Sequence, residues 1–260
     1  MTNLQALILG IIEGITEFLP ISSTAHLILA ASLLKVQDTE YVKFFEVFIQ
    51  SGAILAIVVL YMNHMINNKQ LTRRVLISFF PTGIIGFFLY QIVKSIFFSS
   101  TALIGLSLFV IGCAFLLIEF AIKQKQLHLT HELTKLSNKQ AVIVGIAQAL
   151  AVVPGVSRAG IVMITMMLMG YKRSEAALYS FLLAVPTIMA ATVFDMYKSR
   201  EILMSSTTSL SPLLVGFVTS FVVAYMSVKW LVDYLQRNSL SPFGYYRIAL
   251  AVLVMLFLAH

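Results

Sequence analysis

Glu13 and Glu17 stand four residues apart in an otherwise apolar stretch, a spacing that puts both carboxylates on one face of a helix. Two like charges in one helical turn need a cation or a proton between them. The pair therefore suits a hard divalent cation, which takes oxygen ligands, or acid–base work. Pro20-Ile-Ser-Ser-Thr-Ala-His26 follows directly. Ser22, Ser23 or Thr24 can cap a new helix, whose free N–H groups form an anion site, but capping alone needs only one hydroxyl of the three. His26 falls within about one turn of them, where it can move a proton or accept a phosphoryl group.

A second polar break, Pro154-Gly-Val-Ser-Arg158, repeats the device. Ser157 is the expected cap, and Gly155 permits a tight turn. The Arg158 fork suits bidentate phosphate recognition at a helix N-terminus; a salt bridge to Glu13 or Glu17 is the structural alternative, and the two can coexist. Hydroxyls, a carboxylate pair and an arginine suit a diphosphate with a metal ion, where catalysis is positioning plus charge stabilisation. There is no Walker-type glycine-rich loop, which argues against nucleotide hydrolysis. His128-Leu-Thr-His-Glu132 lies in a charged loop and reads as solvated surface. Arg247 opens the last apolar run, either facing the cavity or snorkelling to the interface.

The elements that must hold these groups are membrane-spanning. Of 260 residues, 59% are hydrophobic and 11% charged, with a mean hydropathy of +0.92. A soluble domain carries about 25% charged residues. The net charge of +7 does not indicate nucleic acid, because the basic residues sit in short gaps between apolar runs, as topology signals do. Cys113 is a lone cysteine, so no disulfide framework exists. The N-terminus lacks a basic leader region and reads as mature structure.

Six runs are long enough to span: Phe44–Met62, Val75–Val93, Thr101–Ile122, Ala176–Tyr197, Leu213–Leu231 and the shorter Tyr245–Leu258. Two further apolar regions, 4–34 and 142–169, are broken near their middles by the two motifs. Irregular backbone at membrane depth survives only where buried in protein or lining a wet cavity, so both are expected to be re-entrant helical hairpins. The chain aligns with itself at an offset of 135 residues, which places Ser22 on Ser157 and Gly10-Ile-Ile-Glu13 on Gly145-Ile-Ala-Gln148. The expected organisation is one integral all-α domain: a first repeat over 1–122, a joint over 123–140 and a second repeat over 141–260. Three spans separate the hairpins, so the repeats are inverted and the site is expected at their interface. Sixteen Lys and Arg residues flank these segments, five on one face and eleven on the other. The richer face is expected to be cytoplasmic, which puts both termini outside.

The two motifs, with Phe45-Glu-Val-Phe-Ile-Gln50 and Phe181-Leu-Leu-Ala-Val-Pro186 in support, resemble the undecaprenyl-diphosphate phosphatase family associated with bacitracin resistance. The resemblance runs end to end. It implies a multi-pass enzyme of the bacterial cytoplasmic membrane, its site open to the outer side, that hydrolyses a C55 polyprenyl diphosphate to the monophosphate. It also implies a divalent metal requirement, Mg or Ca, and a lipid carrier used for peptidoglycan and other envelope polymers. The expected catalytic residues are Glu17, Ser23, His26 and Arg158; Glu13 and Glu17 hold metal; Ser22, Thr24, Ser157, Arg158 and Arg247 bind the diphosphate. Ser23, His26 and water remain alternative nucleophiles. Partners are the polyprenyl lipid and membrane lipids, with a homodimer allowed and no nucleic acid. The rival reading is a lipid-phosphate transporter without hydrolysis. The chain departs from the family pattern at Ala25, usually Gly, and at Ala159 and Val162, which replace a serine and a threonine.

Overall fold

The computed structural model describes residues 1–96, 101–200 and 210–258. Among them are ten α-helices and no strand. The first five are α1 (Asn3–Thr16), α2 (Ser23–Leu33), α3 (Glu40–Asn67), α4 (Lys69–Ile96) and α5 (Thr101–Lys123). The rest are α6 (Asn138–Ala149), α7 (Arg158–Leu168), α8 (Arg173–Lys198), α9 (Leu210–Arg237) and α10 (Ser241–Leu258).

Among the described residues, five helices are long and apolar enough to cross a membrane: α3, α4, α5, α8 and α9. This is the architecture of a polytopic membrane protein. The last apolar run forms α10, which at 18 residues is shorter than those five. Helices α1, α2, α6 and α7 have 14, 11, 12 and 11 residues. At about 1.5 Å per residue each reaches roughly half to two-thirds of a 30 Å hydrocarbon core.

Local chemistry sets where these short helices begin. The Thr2 hydroxyl accepts from the Gln5 N–H at 3.2 Å, while the Thr2 N–H donates to the Gln5 side chain at 2.8 Å. Ser137 and Gln140 make the same reciprocal box at the start of α6. That start falls inside the expected joint, so the second broken helix begins earlier than its apolar run. The rest of the joint is anchored rather than free: Lys172 pairs with Glu132 at 2.6 Å, and His131 Nδ1 lies 3.0 Å from the Met169 carbonyl.

Packing is reciprocal. Helix α1 lies along α9, α6 lies along α4, α5 along α10, and α3 crosses α8. Two glycines permit the closest of these approaches. A Cβ on Gly10 would stand 2.7 Å from the Gly216 carbonyl oxygen, and one on Gly145 would strike the Ser78 carbonyl oxygen. Small residues at membrane helix contacts gain van der Waals contact and bring backbones together. Interior prolines at 81 in α4 and 186 in α8 interrupt the helical ladder. The next residue in each case bonds back: Thr82 to the Ser78 carbonyl at 3.0 Å and Thr187 to the Leu183 carbonyl at 2.8 Å.

Candidate active site

The site lies between two turns that break α1 from α2 and α6 from α7. Helix α1 ends at Thr16, four residues before Pro20, which has no N–H to continue the ladder to the Thr16 carbonyl. Glu17 caps the helix, its N–H donating to the Glu13 carbonyl at 2.9 Å. In the second turn Gly155 takes a φ of +91°, which an L side chain resists. Ser22 and Ser157 both sit at positive φ, 74° and 69°. Non-glycine residues held there cost about 1–3 kcal/mol each and concentrate at functional sites. Ser157 caps α7 through the Gly160 N–H at 3.2 Å, whereas Ser22 makes no capping bond.

A cavity of about 220 Å³ separates the turns. One wall carries Glu17, Ser22, Ser23, Thr24, Ser157 and Arg158. Gln50, Thr82, Gln148 and Thr187, from four different helices, also line the cavity. Glu17 joins the two turns. Its Oε2 accepts the Ser23 hydroxyl at 2.6 Å, and its Oε1 accepts Arg158 Nη2 at 2.7 Å. The other arm of the Arg158 fork donates to the Ser180 carbonyl at 3.0 Å, and its plane lies over Phe18 at 5.7 Å. The ion pair expected as the structural alternative is therefore present, and it is made to Glu17.

Glu13 has no exposed surface, and among the described residues no N–H group donates to either carboxylate oxygen. Glu17 is close enough to act on it electrostatically. A buried carboxylate without N–H donors is costly, and these oxygens are the kind a hard cation takes. Glu13 and Glu17 fit such an ion as its protein ligands, because Mg²⁺ commonly binds one or two carboxylates together with waters and phosphate oxygens. Among the described residues no three His, Cys, Asp or Glu side chains converge on one point.

Two expected contributors are placed differently. His26 turns away from the cavity toward α10. Its Nδ1 lies 2.7 Å from the Ser22 carbonyl, which requires a proton on that nitrogen. Nε2 then accepts the Tyr246 hydroxyl at 2.7 Å, with the two rings stacked at 5.6 Å. Neither nitrogen offers a free lone pair to the cavity. Arg247 has no exposed surface and lies outside the cavity wall, neither facing it nor snorkelling. Nη1 donates to the Pro20 carbonyl at 3.0 Å; Nη2 donates to those of Gly155 at 2.6 Å and Val156 at 3.2 Å. One guanidinium therefore clamps both turns.

Sequence reasoning missed Gln50, Thr82, Gln148, Thr187 and Tyr246 as parts of the site. Each is a lone polar or amphipathic residue in an apolar helix; the cues were the alignment of Gln148 on Glu13 and the place of Gln50 at the end of a stretch that supports the family resemblance. Ala159 and Val162, where the family pattern has hydroxyls, are buried in the core, and neither lines the cavity.

Fold and site together define an integral membrane protein whose helical bundle encloses a carboxylate–hydroxyl–arginine cavity at the meeting of two broken helices. The chain matches the family described as bacitracin resistance protein BacA over residues 6–253 and belongs to that family. It is 43% identical to the undecaprenyl-diphosphatase of Aquifex aeolicus over 257 residues, covering 99% of both chains. It is 45% identical to that of a Sulfurihydrogenibium species, covering 98% and 99%, and 43% identical to that of a Campylobacter jejuni strain, covering 96% and 92%.

Proposed function

We propose that this protein hydrolyses undecaprenyl diphosphate to undecaprenyl phosphate and inorganic phosphate, regenerating the lipid carrier of envelope synthesis and conferring bacitracin resistance. The observation that carries the reading is Glu17 bonded at once to Ser23 and Arg158 in the cavity wall. The undecaprenyl chain is taken from the name of the relatives, whose similarity extends over nearly the whole of this chain.

Ser23 is the nucleophile. Its Oγ attacks the terminal phosphorus as its proton passes to Glu17 Oε2, and the bridging P–O bond breaks with its electron pair left on the lipid monophosphate. That product takes the proton from Glu17. Water then attacks the phosphoserine; one water proton passes through Glu17 to the departing Ser23 oxygen, and inorganic phosphate leaves. Arg158 and the N–H groups that open α2 and α7 stabilise the phosphoryl charge. A divalent cation, Mg²⁺ or Ca²⁺, held by Glu13 and Glu17, would neutralise phosphate charge.

The membrane arrangement belongs to the same proposal: six spans, with α1–α2 and α6–α7 as re-entrant hairpins of an inverted repeat. Equivalent capping boxes, the paired positive-φ serines and the matched packing of α1 on α9 and α6 on α4 support it. The asymmetry of Lys and Arg supports a cytoplasmic position for the richer face, and a site open to the outer side of the cytoplasmic membrane is what the family resemblance implies. The test is product analysis with purified protein in detergent. One phosphate released per lipid monophosphate formed is expected, and intact diphosphate after prolonged incubation would refute hydrolysis.

A further inference from the structure

Gln148 is buried in the cavity wall, 2% exposed, and the hydrogen-bond arithmetic around it fixes how its amide faces. The Thr187 hydroxyl donates to the Leu183 carbonyl at 2.8 Å. The Thr82 hydroxyl has its one proton directed at the Ser78 and Gly145 carbonyls, at 3.0 and 2.7 Å. Both hydroxyls can therefore only accept from Gln148, and its Nε2 meets each at 3.1 Å. The reverse orientation would set an acceptor oxygen against hydroxyls whose protons are already committed. Gln148 Oε1 is left a buried acceptor with no partner among the described residues. A buried acceptor left so is costly, and Gln148 is one of the residues that line the cavity. An ionised phosphate brings only acceptors there. What satisfies Oε1 is an O–H donor.

We infer that Gln148 positions the hydrolytic water, an inference that rests on the phosphatase reading. The water donates one O–H to Gln148 Oε1. Its other proton goes to Glu17, and its freed lone pair forms the new P–O bond as the Ser23 Oγ–P bond breaks and Oγ takes the proton from Glu17. Gln148 neither gains nor loses a proton; it orients the attacking oxygen.

Methanol separates this role from a structural one. A methanol oxygen carries a single proton, which must go to the base, so its attack cannot use Gln148. Purified wild type and Gln148→Leu are assayed on undecaprenyl diphosphate in methanol–water, with inorganic phosphate and methyl phosphate both quantified. The expected result is a fall in kcat for phosphate release of about 10–100-fold, KM within about threefold, and a ratio of phosphate to methyl phosphate about tenfold below wild type. The ratio does not depend on how much of the variant is folded. An unchanged ratio, or a raised KM with kcat retained, would overturn the role. Phosphate release absent from wild type itself would overturn the phosphatase reading on which the role rests.

Discussion

Removing one member of the Glu17–Arg158 pair should destabilise the protein more than removing both. The two side chains are 7% and 11% exposed, and Nη2 lies 2.7 Å from Oε1. At about 4 Å between charge centres and an effective dielectric constant of about 20, their attraction is about 4 kcal/mol. Losing one partner leaves the other as an unpaired buried charge, a loss of about 3–5 kcal/mol. Glu17→Gln and Arg158→Gln should each lower unfolding free energy by that amount. The double variant leaves neither member of the pair as an unpaired buried charge and should recover to within about 2 kcal/mol of wild type. Activity should not follow stability. Without the Arg158 fork, phosphate release should fall at least about 10³-fold, and Glu17→Gln removes the acceptor of the Ser23 proton, so the double variant stays inactive. The assay is reversible unfolding in mixed micelles beside phosphate release. Additive destabilisation in the double variant would show the charges are not coupled. A stable and active double variant would reduce the pair to a structural strut.

Three further outcomes follow from the same geometry. Arg247→Met should lower turnover about 10²-fold with KM within about threefold, because the guanidinium holds both turns and lies outside the cavity wall; a raised KM with kcat intact would instead make it a substrate contact. Ser22→Gly should raise stability by about 1 kcal/mol by relieving the positive φ, while Ser22→Ala should not; equal unfolding midpoints for the two would refute the strain. Chelator should suppress phosphate release and Mg²⁺ or Ca²⁺ restore it, with Glu13→Gln raising the half-restoring concentration about tenfold or more; release indifferent to chelator would refute metal binding by the carboxylate pair.

Much of the site was legible because chemistry and helix breaking coincide in this chain. Pro20 and the Pro154-Gly155 pair end helices, and the residues beside them, Glu17, Ser23, Ser157 and Arg158, are too polar for lipid unless they face one another. They do. What escaped depends on long-range direction. His26 lies one turn from Ser23 along the chain, but its outer nitrogen finds Tyr246, 220 positions later. The Arg247 fork is satisfied by backbone carbonyls, which leave no trace in side-chain identity. Gln148, Thr82 and Thr187 form one network only because α4, α6 and α8 meet there; in sequence each is a single polar residue within an apolar run.

The most direct measurement is the rate of inorganic phosphate release from undecaprenyl diphosphate by purified wild type and by Ser23→Ala, matched for unfolding midpoint. Steady release by wild type, with none above background from Ser23→Ala, is the predicted result. Wild-type rates from Ser23→Ala would contradict the assignment of the nucleophile, and silence from folded wild type would contradict the phosphatase itself.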